Sequence, residues 1–513
     1  LAEDAKALVR SLIARHAIDC DLRDGIIHAA WKPRDAAPLR AYVEHMAAHY
    51  GYVQRWVEKK DVPSLVATGR YHGAVVDPQH LAIFRGLLTV ALFTLLGKLM
   101  SAAKEMAVAY RYGLAAEVDA YQFVYNLVSW PLGIWASVLA AVLVPLVARM
   151  RVSSPQAIPR FRAELAGFTL VLGMVLALLG WLVIAALLRF DRSGLPAHSA
   201  QLAATALPGL ILMLPLGLLV ALLSTWLLAA QRHVNTLLEC VPTLCITAAV
   251  LLFAGGGISP LVWGTIAGCA CHLLTLLAPL STRRELETPV FTRDSAQWQW
   301  FWQGFGIMLA GQALMSFTVI IDQFYAVGLG TGALAMLGYA NRVLSLILGL
   351  AAIAVSRATL PVFSQVSADA AGQVYRVAVS WARLMFAGGV AVMLLSYLAA
   401  PWVIRLLFER GQFDATDTAQ VAEVLRYGLP QLPFYFASMV LVSYALSQRR
   451  YGLIAWSGVI GCGGKVLGNL VLVPHLGVNG IALATMAVYG LNALFFWLAL
   501  RRRSPLWRTA SCL

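Results

Sequence analysis

Residues 163–188 read AELAGFTLVLGMVLALLGWLVIAALL. Glu164 is the one ionisable residue among these 26, and arginines bracket the run, Arg160 and Arg162 before it and Arg189 and Arg192 after it. An α-helix rises about 1.5 Å per residue, so about 20 apolar residues cross the roughly 30 Å hydrocarbon core of a bilayer. A run this long with so little charge predicts a transmembrane helix. Its flanking arginines sit where charge returns to water.

Eleven further runs have the same character. The expected spans are 83–110, 121–148, 163–188, 204–230, 235–254, 260–280, 299–327, 334–356, 377–399, 419–447, 452–472 and 480–500. Their lengths and Gly/Pro interruptions suit helices, which satisfy their own backbone in lipid. Bulk composition agrees: 60% of the 513 residues are hydrophobic, 12% are charged, and the mean hydropathy is +0.73. Soluble chains carry about 25% charged residues, and half that charge over this length does not suit a water-facing surface.

Charge is distributed unevenly. Residues 1–82 hold 11 Lys/Arg and 10 Asp/Glu, whereas the remainder holds 28 and 15. The basic excess thus belongs to the apolar part, in short loops, where the positive-inside rule explains it better than nucleic-acid binding does. With the N-terminus in the cytoplasm, inner loops carry sixteen arginines, from Arg149 to Arg508. Outer loops carry five: Arg111, Arg189, Arg192, Arg405 and Arg410. Both termini are therefore expected inside. The seven cysteines form no CxxC pair and read as small buried hydrophobes, with no metal or disulfide implied. The opening is charged and lacks a cleavable signal peptide. It starts at Leu1 instead of Met, as a truncated chain would.

The two halves repeat. Glu105 and Gly113 match Asp322 and Gly330; Gly133 and Pro145 match Gly349 and Pro361; Gln231-Arg232 matches Gln448-Arg449; Gly257, Thr265 and Ala267 match Gly477, Thr485 and Ala487. The offset stays between 216 and 220. Six spans per half is an even number, so both halves enter the membrane in the same sense, a parallel repeat about an axis along the membrane normal. Two such bundles around a cleft, rocking against each other, make a transporter.

Charge within a span is costly and marks a cavity or a partner. The candidates are Lys98, Lys104 and Glu105 on the first span, Asp119 at the start of the second, and Glu239 on the fifth. Asp322 lies on the seventh span, Arg342 on the eighth beside the neutral Asn341, and Lys465 on the eleventh. Lys98, Lys104 and Arg342 on cleft-lining helices would form a cationic patch suited to a pyrophosphate, with Arg making paired hydrogen bonds. The competing reading makes these charges structural ion pairs, for example Lys104 with Asp322. His272, alone on an apolar helix, reads as a satisfied core residue. Gly461, Gly463 and Gly464 before Lys465 lack the Ser/Thr of a phosphate loop.

The stretch Leu406-Leu407-Phe408-Glu409-Arg410-Gly411-Gln412-Phe413 with Asp417-Thr418 resembles the signature between the ninth and tenth helices of the MurJ/MviN-type flippases. Tyr339-Ala340-Asn341-Arg342 resembles that family's tyrosine-alanine-aspartate-arginine motif, and Thr359-Leu360-Pro361 its leucine-proline helix end. Gly113 and Asp119-Ala120 resemble the entry to its second helix. The resemblance covers roughly residues 83–503, strongest from 320 to 450. It implies alternating-access translocation of lipid II, with Lys98, Lys104 and Arg342 as cationic cleft residues and Asp119 as an acidic partner. The intramembrane charges themselves, apart from the resemblance, give Glu105, Asp322 and Lys465, with Asn341 beside Arg342, as possible ion or charge partners. Lys98 and Lys104 stand where the family usually has arginine. Trp130, Pro131 and Trp135 occupy the region of its second-helix arginine pair and alanine-glutamate-glycine segment. These departures widen the expected substrate to lipid II or a related undecaprenyl-pyrophosphate-linked glycan.

Residues 1–80 belong to a different pattern. Ile18-Asp19-Cys20-Asp21-Leu22, Trp31-Lys32-Pro33-Arg34-Asp35 and Gly69-Arg70-Tyr71-His72-Gly73-Ala74 resemble an internal piece of an FAD-dependent amine or amino-acid oxidase. They carry no Gly-rich nucleotide fingerprint, so no flavin site is expected.

The expected fold is an all-α polytopic membrane protein of about twelve transmembrane helices in two parallel six-helix repeats, with a small N-terminal α+β soluble fragment. Residues 1–80 form the oxidase-like fragment, 83–295 and 296–503 the two bundles, and 504–513 a basic cytoplasmic tail. The expected function is flipping of a lipid-linked anionic glycan in the bacterial inner membrane by a monomer contacting membrane lipid and no nucleic acid, without cofactor, metal or catalytic residue. Two alternatives stand beside it: a cation-coupled drug or small-solute exporter of the same superfamily, and a membrane-anchored flavoenzyme fusion.

Overall fold

A computed structural model describes residues 26–30, 32–50, 55–64, 70–77, 79–230, 238–253, 255–281, 287–364, 371–447 and 450–501. It divides into two compact units, one up to Thr94 and one from Leu95 onward. Gln231-Arg232 and Gln448-Arg449 of the repeat, and Ile18 to Leu22, Trp31 and Gly69 of the oxidase-like motifs, lie outside the described residues.

The first unit contains a three-stranded antiparallel sheet, β1 (Ile26–Ala29), β2 (Arg55–Glu58) and β3 (Gly73–Asp77), in the order β1-β3-β2. Ile26 pairs with Asp77 and Arg55 with Val76, so β3 is central. Helix α1 (Pro33–Tyr50) packs on β2 and β3. Val57, Val62 and Ala74 form a small core. This is the expected α+β fragment.

The second unit is helical, and its first helix begins at Gln79 within the first unit. In chain order follow α2 (Gln79–Tyr112), α3 (Ala116–Ser153), α4 (Ile158–Arg189), α5 (Ala197–Leu210), α6 (Met213–Ala229), α7 (Val241–Leu252) and α8 (Ser259–Ser281). Then come α9 (Gln297–Val327), α10 (Ala333–Ser364), α11 (Ala371–Phe408), α12 (Ala415–Gly428), α13 (Gln431–Ser447), α14 (Tyr451–Leu476) and α15 (Val478–Arg501). Each of the twelve expected spans is occupied, in part or whole, by helix. Among the described residues, seven helices are long and apolar enough to cross a bilayer, and the pair α5–α6, bent by 48°, makes an eighth.

The expected fourth and tenth spans are each broken in two. Pro215 and Pro433 stand third in α6 and α13, within the first turn, where the missing N–H breaks no intrahelical bond. A Cβ on Gly173 of α4 would lie 2.8 Å from the Pro215 Cα, and one on Gly389 of α11 would lie 2.6 Å from the Pro433 Cα. Glycine therefore lets the third helix of each repeat touch the broken helix at backbone distance, as close packing in lipid requires.

The repeat extends through the packing. Helix α3 lies on α5 and α6 as α10 lies on α12 and α13; α4 lies on α6 as α11 lies on α13; α7 lies on α8 as α14 lies on α15. Gly113 and Gly330, preceding α3 and α10, both have positive φ, 53° and 111°. Across the repeats, α9 packs on α3 as well as on α14. On α4, Val171, Met174, Val175, Leu178 and Leu182 form an exposed apolar stripe at helical spacing. Such a stripe suits contact with lipid.

Candidate functional site

On α2, Lys98, Ser101, Ala102 and Glu105 recur at three- and four-residue intervals, so they share one face. Lys104, one position earlier than Glu105, is turned to the side. On α10, Gly338, Asn341, Arg342 and Ser345 make a second polar face within an apolar helix. The fold brings the two faces together.

Glu105 is the junction. Its Oε1 lies 2.7 Å from Lys104 Nζ and 3.0 Å from Arg342 Nε. The Glu105 side chain is 8% exposed and Lys104 13%, whereas Arg342 is 51% exposed. A buried carboxylate needs compensation, since an unpaired buried charge costs several kcal/mol, about 3–5 when one partner is removed. Here two cations share it, leaving one positive charge in excess within the triad.

Arg342 and Glu105 line two cavities. A small one, about 100 Å³, is bounded by Lys98, Ser101, Glu105, Arg342, Ser345 and Phe408. A larger one, about 370 Å³, is bounded by Lys104, Glu105, Tyr121, Gln122, Tyr125, Asn126, Asn341, Arg342 and Gln431. Tyr121 and Tyr125 stack at 5.4 Å, and the Tyr121 hydroxyl is 2.8 Å from Thr265 Oγ1. The structure thus gathers Lys98, Lys104, Glu105, Asn341 and Arg342 around adjoining space.

The family-like motifs meet at the end of α2. Tyr339 packs its ring against Phe408 at 5.1 Å and Phe413 at 5.6 Å, and its hydroxyl donates to the Gly113 carbonyl at 3.2 Å. The Gln412 amide donates to the Tyr110 carbonyl at 2.9 Å. Gly113 has φ 53°, and a Cβ there would lie 2.7 Å from the Gln412 carbonyl oxygen. The signature between α11 and α12 is therefore a clasp that fixes α2 against α10. Asp414 caps α12 by accepting the amides of Thr416 and Asp417. Burial and the neighbouring Asp414 push the Asp417 carboxyl above its usual range.

Asp119 is placed differently from the substrate-contacting acid implied by the resemblance. It is 2% exposed and lines neither cavity. One carboxylate oxygen accepts the Gly332 amide, and the other accepts the Ala335 amide at 2.8 Å. It caps α10 from α3, satisfying amides that have no intrahelical partner. The Lys104–Asp322 pair offered by the competing reading does not form, because Asp322 pairs with Lys465 at 2.9 Å. Lys465 is 1% exposed, lines neither cavity, and shares Asp322 with Asn469. Glu239 is exposed. His272 is buried, as a core residue, but among the described residues its Nε2 finds no hydrogen-bond partner.

Sequence reading missed the neutral lining. Gln122, Tyr125 and Asn126 follow one another on α3 at three- and four-residue spacing, and Gln431 opens α13. Polar residues at that spacing inside an otherwise apolar span were the available signal.

Comparison with known proteins agrees with this geometry. The family model described as Lipid II flippase MurJ matches residues 108–511. A lipid II flippase MurJ of Burkholderia cenocepacia is 24% identical over 455 residues, 83% of this chain and 86% of that protein. Probable lipid II flippases MurJ of Vibrio cholerae and Bdellovibrio bacteriovorus are 28% and 25% identical, and the chain spans 39% and 47% of their respective lengths. Among solved structures, a lipid II flippase MurJ in an inward closed conformation superposes with TM-score 0.70 at 16% identity, covering 81% of this chain and 87% of that one. An inward-facing multidrug resistance MATE family transporter superposes with TM-score 0.62 at 15% identity, over 83% and 99%. These structural likenesses establish a shared polytopic fold, and the family match over most of the length goes further: the chain belongs to the lipid II flippase MurJ family.

Proposed function

We propose that this protein flips lipid II, or a closely related undecaprenyl-pyrophosphate-linked glycan, across the bacterial inner membrane for peptidoglycan synthesis. The observation that carries the reading is Glu105 held between Lys104 and Arg342 at the meeting point of two cavities. In this reading the headgroup pyrophosphate replaces Glu105 as the partner of the two cations. The Arg342 guanidinium makes paired hydrogen bonds to phosphate oxygens, and Lys98 adds charge from the smaller cavity. The carboxamides and tyrosines of the larger cavity face the sugars. Alternation follows from rocking residues 83–295 against 296–503 as two bundles, with both termini cytoplasmic. Because α2 and α10 come from different bundles, an anion that bridges them would favour one bundle arrangement over the other.

The exporter alternative shares the fold, as the MATE likeness indicates, but Lys98, Lys104 and Arg342 outnumber Glu105 in the cavity walls and favour an anion. The flavoenzyme alternative predicts flavin bound to the purified chain. The deciding experiment is complementation of a cell depleted of its lipid II flippase, scored beside an O-antigen flippase mutant. Growth of the first strain supports lipid II; rescue of the second alone assigns another lipid-linked glycan; rescue of neither rejects the flippase reading.

A further inference from the structure

Lys465, which lines neither cavity, sits in an oxygen cage built by three helices. Its Nζ is 2.9 Å from Asp322 Oδ1 on α9, 3.0 Å from the Ile481 carbonyl and 2.5 Å from Thr485 Oγ1 on α15. Three donors meet three acceptors, and Lys465 is 1% exposed. The acceptors are themselves held in place. Asn469, one turn beyond Lys465 on α14, donates to Asp322 at 3.0 Å. The Thr485 hydroxyl donates to the Ile481 carbonyl at 3.3 Å, which turns its lone pairs toward the ammonium. Asn469 is fully buried, and among the described residues its Oδ1 has no hydrogen-bond partner.

A carboxylate, a carbonyl, a hydroxyl and a spare carboxamide oxygen form the kind of ligand set that hard cations take. The repeat shows that the arrangement is particular to the second half. Asp322 and Thr485 correspond to Glu105 and Thr265, but at offsets of 217 to 220 Lys465 falls on Cys245, Ile246, Thr247 or Ala248, none of them a lysine. In the first half Glu105 turns to Lys104 and Arg342, and Thr265 meets Tyr121. The cage therefore does not follow from helix packing alone. It accompanies a lysine at this one position.

We propose that Lys465 is a built-in cation. Its ammonium occupies an oxygen site between α9, α14 and α15 that takes a small monovalent metal ion once the lysine side chain is removed. The second repeat thereby neutralises Asp322 and ties three helices together without drawing an ion from solution at this position. The proposal is independent of the substrate reading, because its test needs no lipid-linked glycan.

The test is the thermal midpoint of the purified full-length chain in sodium, potassium or choline chloride at equal ionic strength. The wild type is expected to melt at the same temperature in all three. A sodium-specific rise in the wild type that disappears in Asp322→Asn overturns the proposal, since a soluble ion would then share the cage with Lys465. Lys465→Ala is expected to melt several degrees lower in choline and to recover in sodium or potassium, with the recovery lost in Lys465→Ala/Asp322→Asn. Equal melting of Lys465→Ala in all three salts overturns the proposal. If Lys465→Ala folds poorly, recovery of monodisperse protein from sodium but not choline buffer supports it, and failure in every salt overturns it.

Discussion

Glu105 Oε1 and Arg342 Nε lie 3.0 Å apart, joining the first helix of one repeat to the second helix of the other. The same oxygen holds Lys104 at 2.7 Å. In the proposed mechanism, an anion that takes over both cations changes what binds α2 to α10, which would couple headgroup binding to helix arrangement through one carboxylate.

Arg342→Ala is expected to abolish flipping while the protein still inserts and accumulates in the membrane. The measurement is complementation of a flippase-depleted strain alongside membrane abundance by immunoblot. Normal complementation at normal abundance would remove Arg342 from the mechanism. Lys104→Arg keeps the charge and is expected to retain activity; its loss would show that ammonium geometry matters.

Glu105→Ala leaves Lys104 and Arg342 facing each other without their shared carboxylate. Breaking a buried pair costs about 3–5 kcal/mol. With Arg342 51% exposed to solvent, the expected loss here is smaller, about 2 kcal/mol. A lowered thermal midpoint, partly restored by added inorganic pyrophosphate, is expected. An unchanged midpoint would mean that the triad contributes nothing to holding α2 on α10.

Two substitutions separate parts of the clasp. Tyr339→Phe removes the hydroxyl donor to the Gly113 carbonyl and keeps the ring packing, costing about 1 kcal/mol. Gly113→Ala imposes a side chain at φ 53° and pushes a Cβ to 2.7 Å from the Gln412 carbonyl oxygen, so its cost is expected to be larger. Thermal unfolding of the two variants side by side gives the order, and the reverse order would contradict the clasp geometry.

Asp119→Ala removes a cap on α10, a loss of about 1–2 kcal/mol. Because Asp119 lines neither cavity, headgroup affinity at a temperature where the variant is folded is expected to match the wild type. A large loss of affinity with an unchanged midpoint would return Asp119 to the binding site.

The Asp417 carboxyl is raised by burial and by Asp414, so its ionised form is less favourable in the folded chain than in the unfolded one. Removing the charge with Asp417→Asn is expected to raise the thermal midpoint at pH 7. That gain should fade as pH falls below the ordinary carboxylate range, where wild-type Asp417 is protonated in both states. A gain that persists at low pH would assign the effect to something other than ionisation.

Several features were legible from residues alone. Length and apolarity of runs such as 163–188 fix which segments become helices, because lipid offers the backbone no hydrogen-bond partner. Recurrence of Gly113 with Gly330 and Gly257 with Gly477 gave the repeat, since each pair holds a left-handed turn that glycine tolerates. The broken fourth and tenth spans were less visible, because hydropathy runs straight through Pro215 and Pro433. At the site, Lys98, Lys104 and Arg342 were marked by the cost of charge in lipid. Gln122, Tyr125, Asn126 and Gln431 were not, since neutral polar side chains cost less there and stand out less.

By itself the sequence determined the polytopic helical class, the helical segments, their internal repetition and the set of charges that need compensation. Tertiary structure alone decided how those charges pair. Glu105 went to Lys104 and Arg342, Asp322 went to Lys465, and Asp119 went to the backbone of α10. The physical reason is one of range. Transfer of a segment into lipid depends on the segment's own composition, whereas an ion pair or a cap is fixed only within about 3 Å, a distance that packing between helices sets.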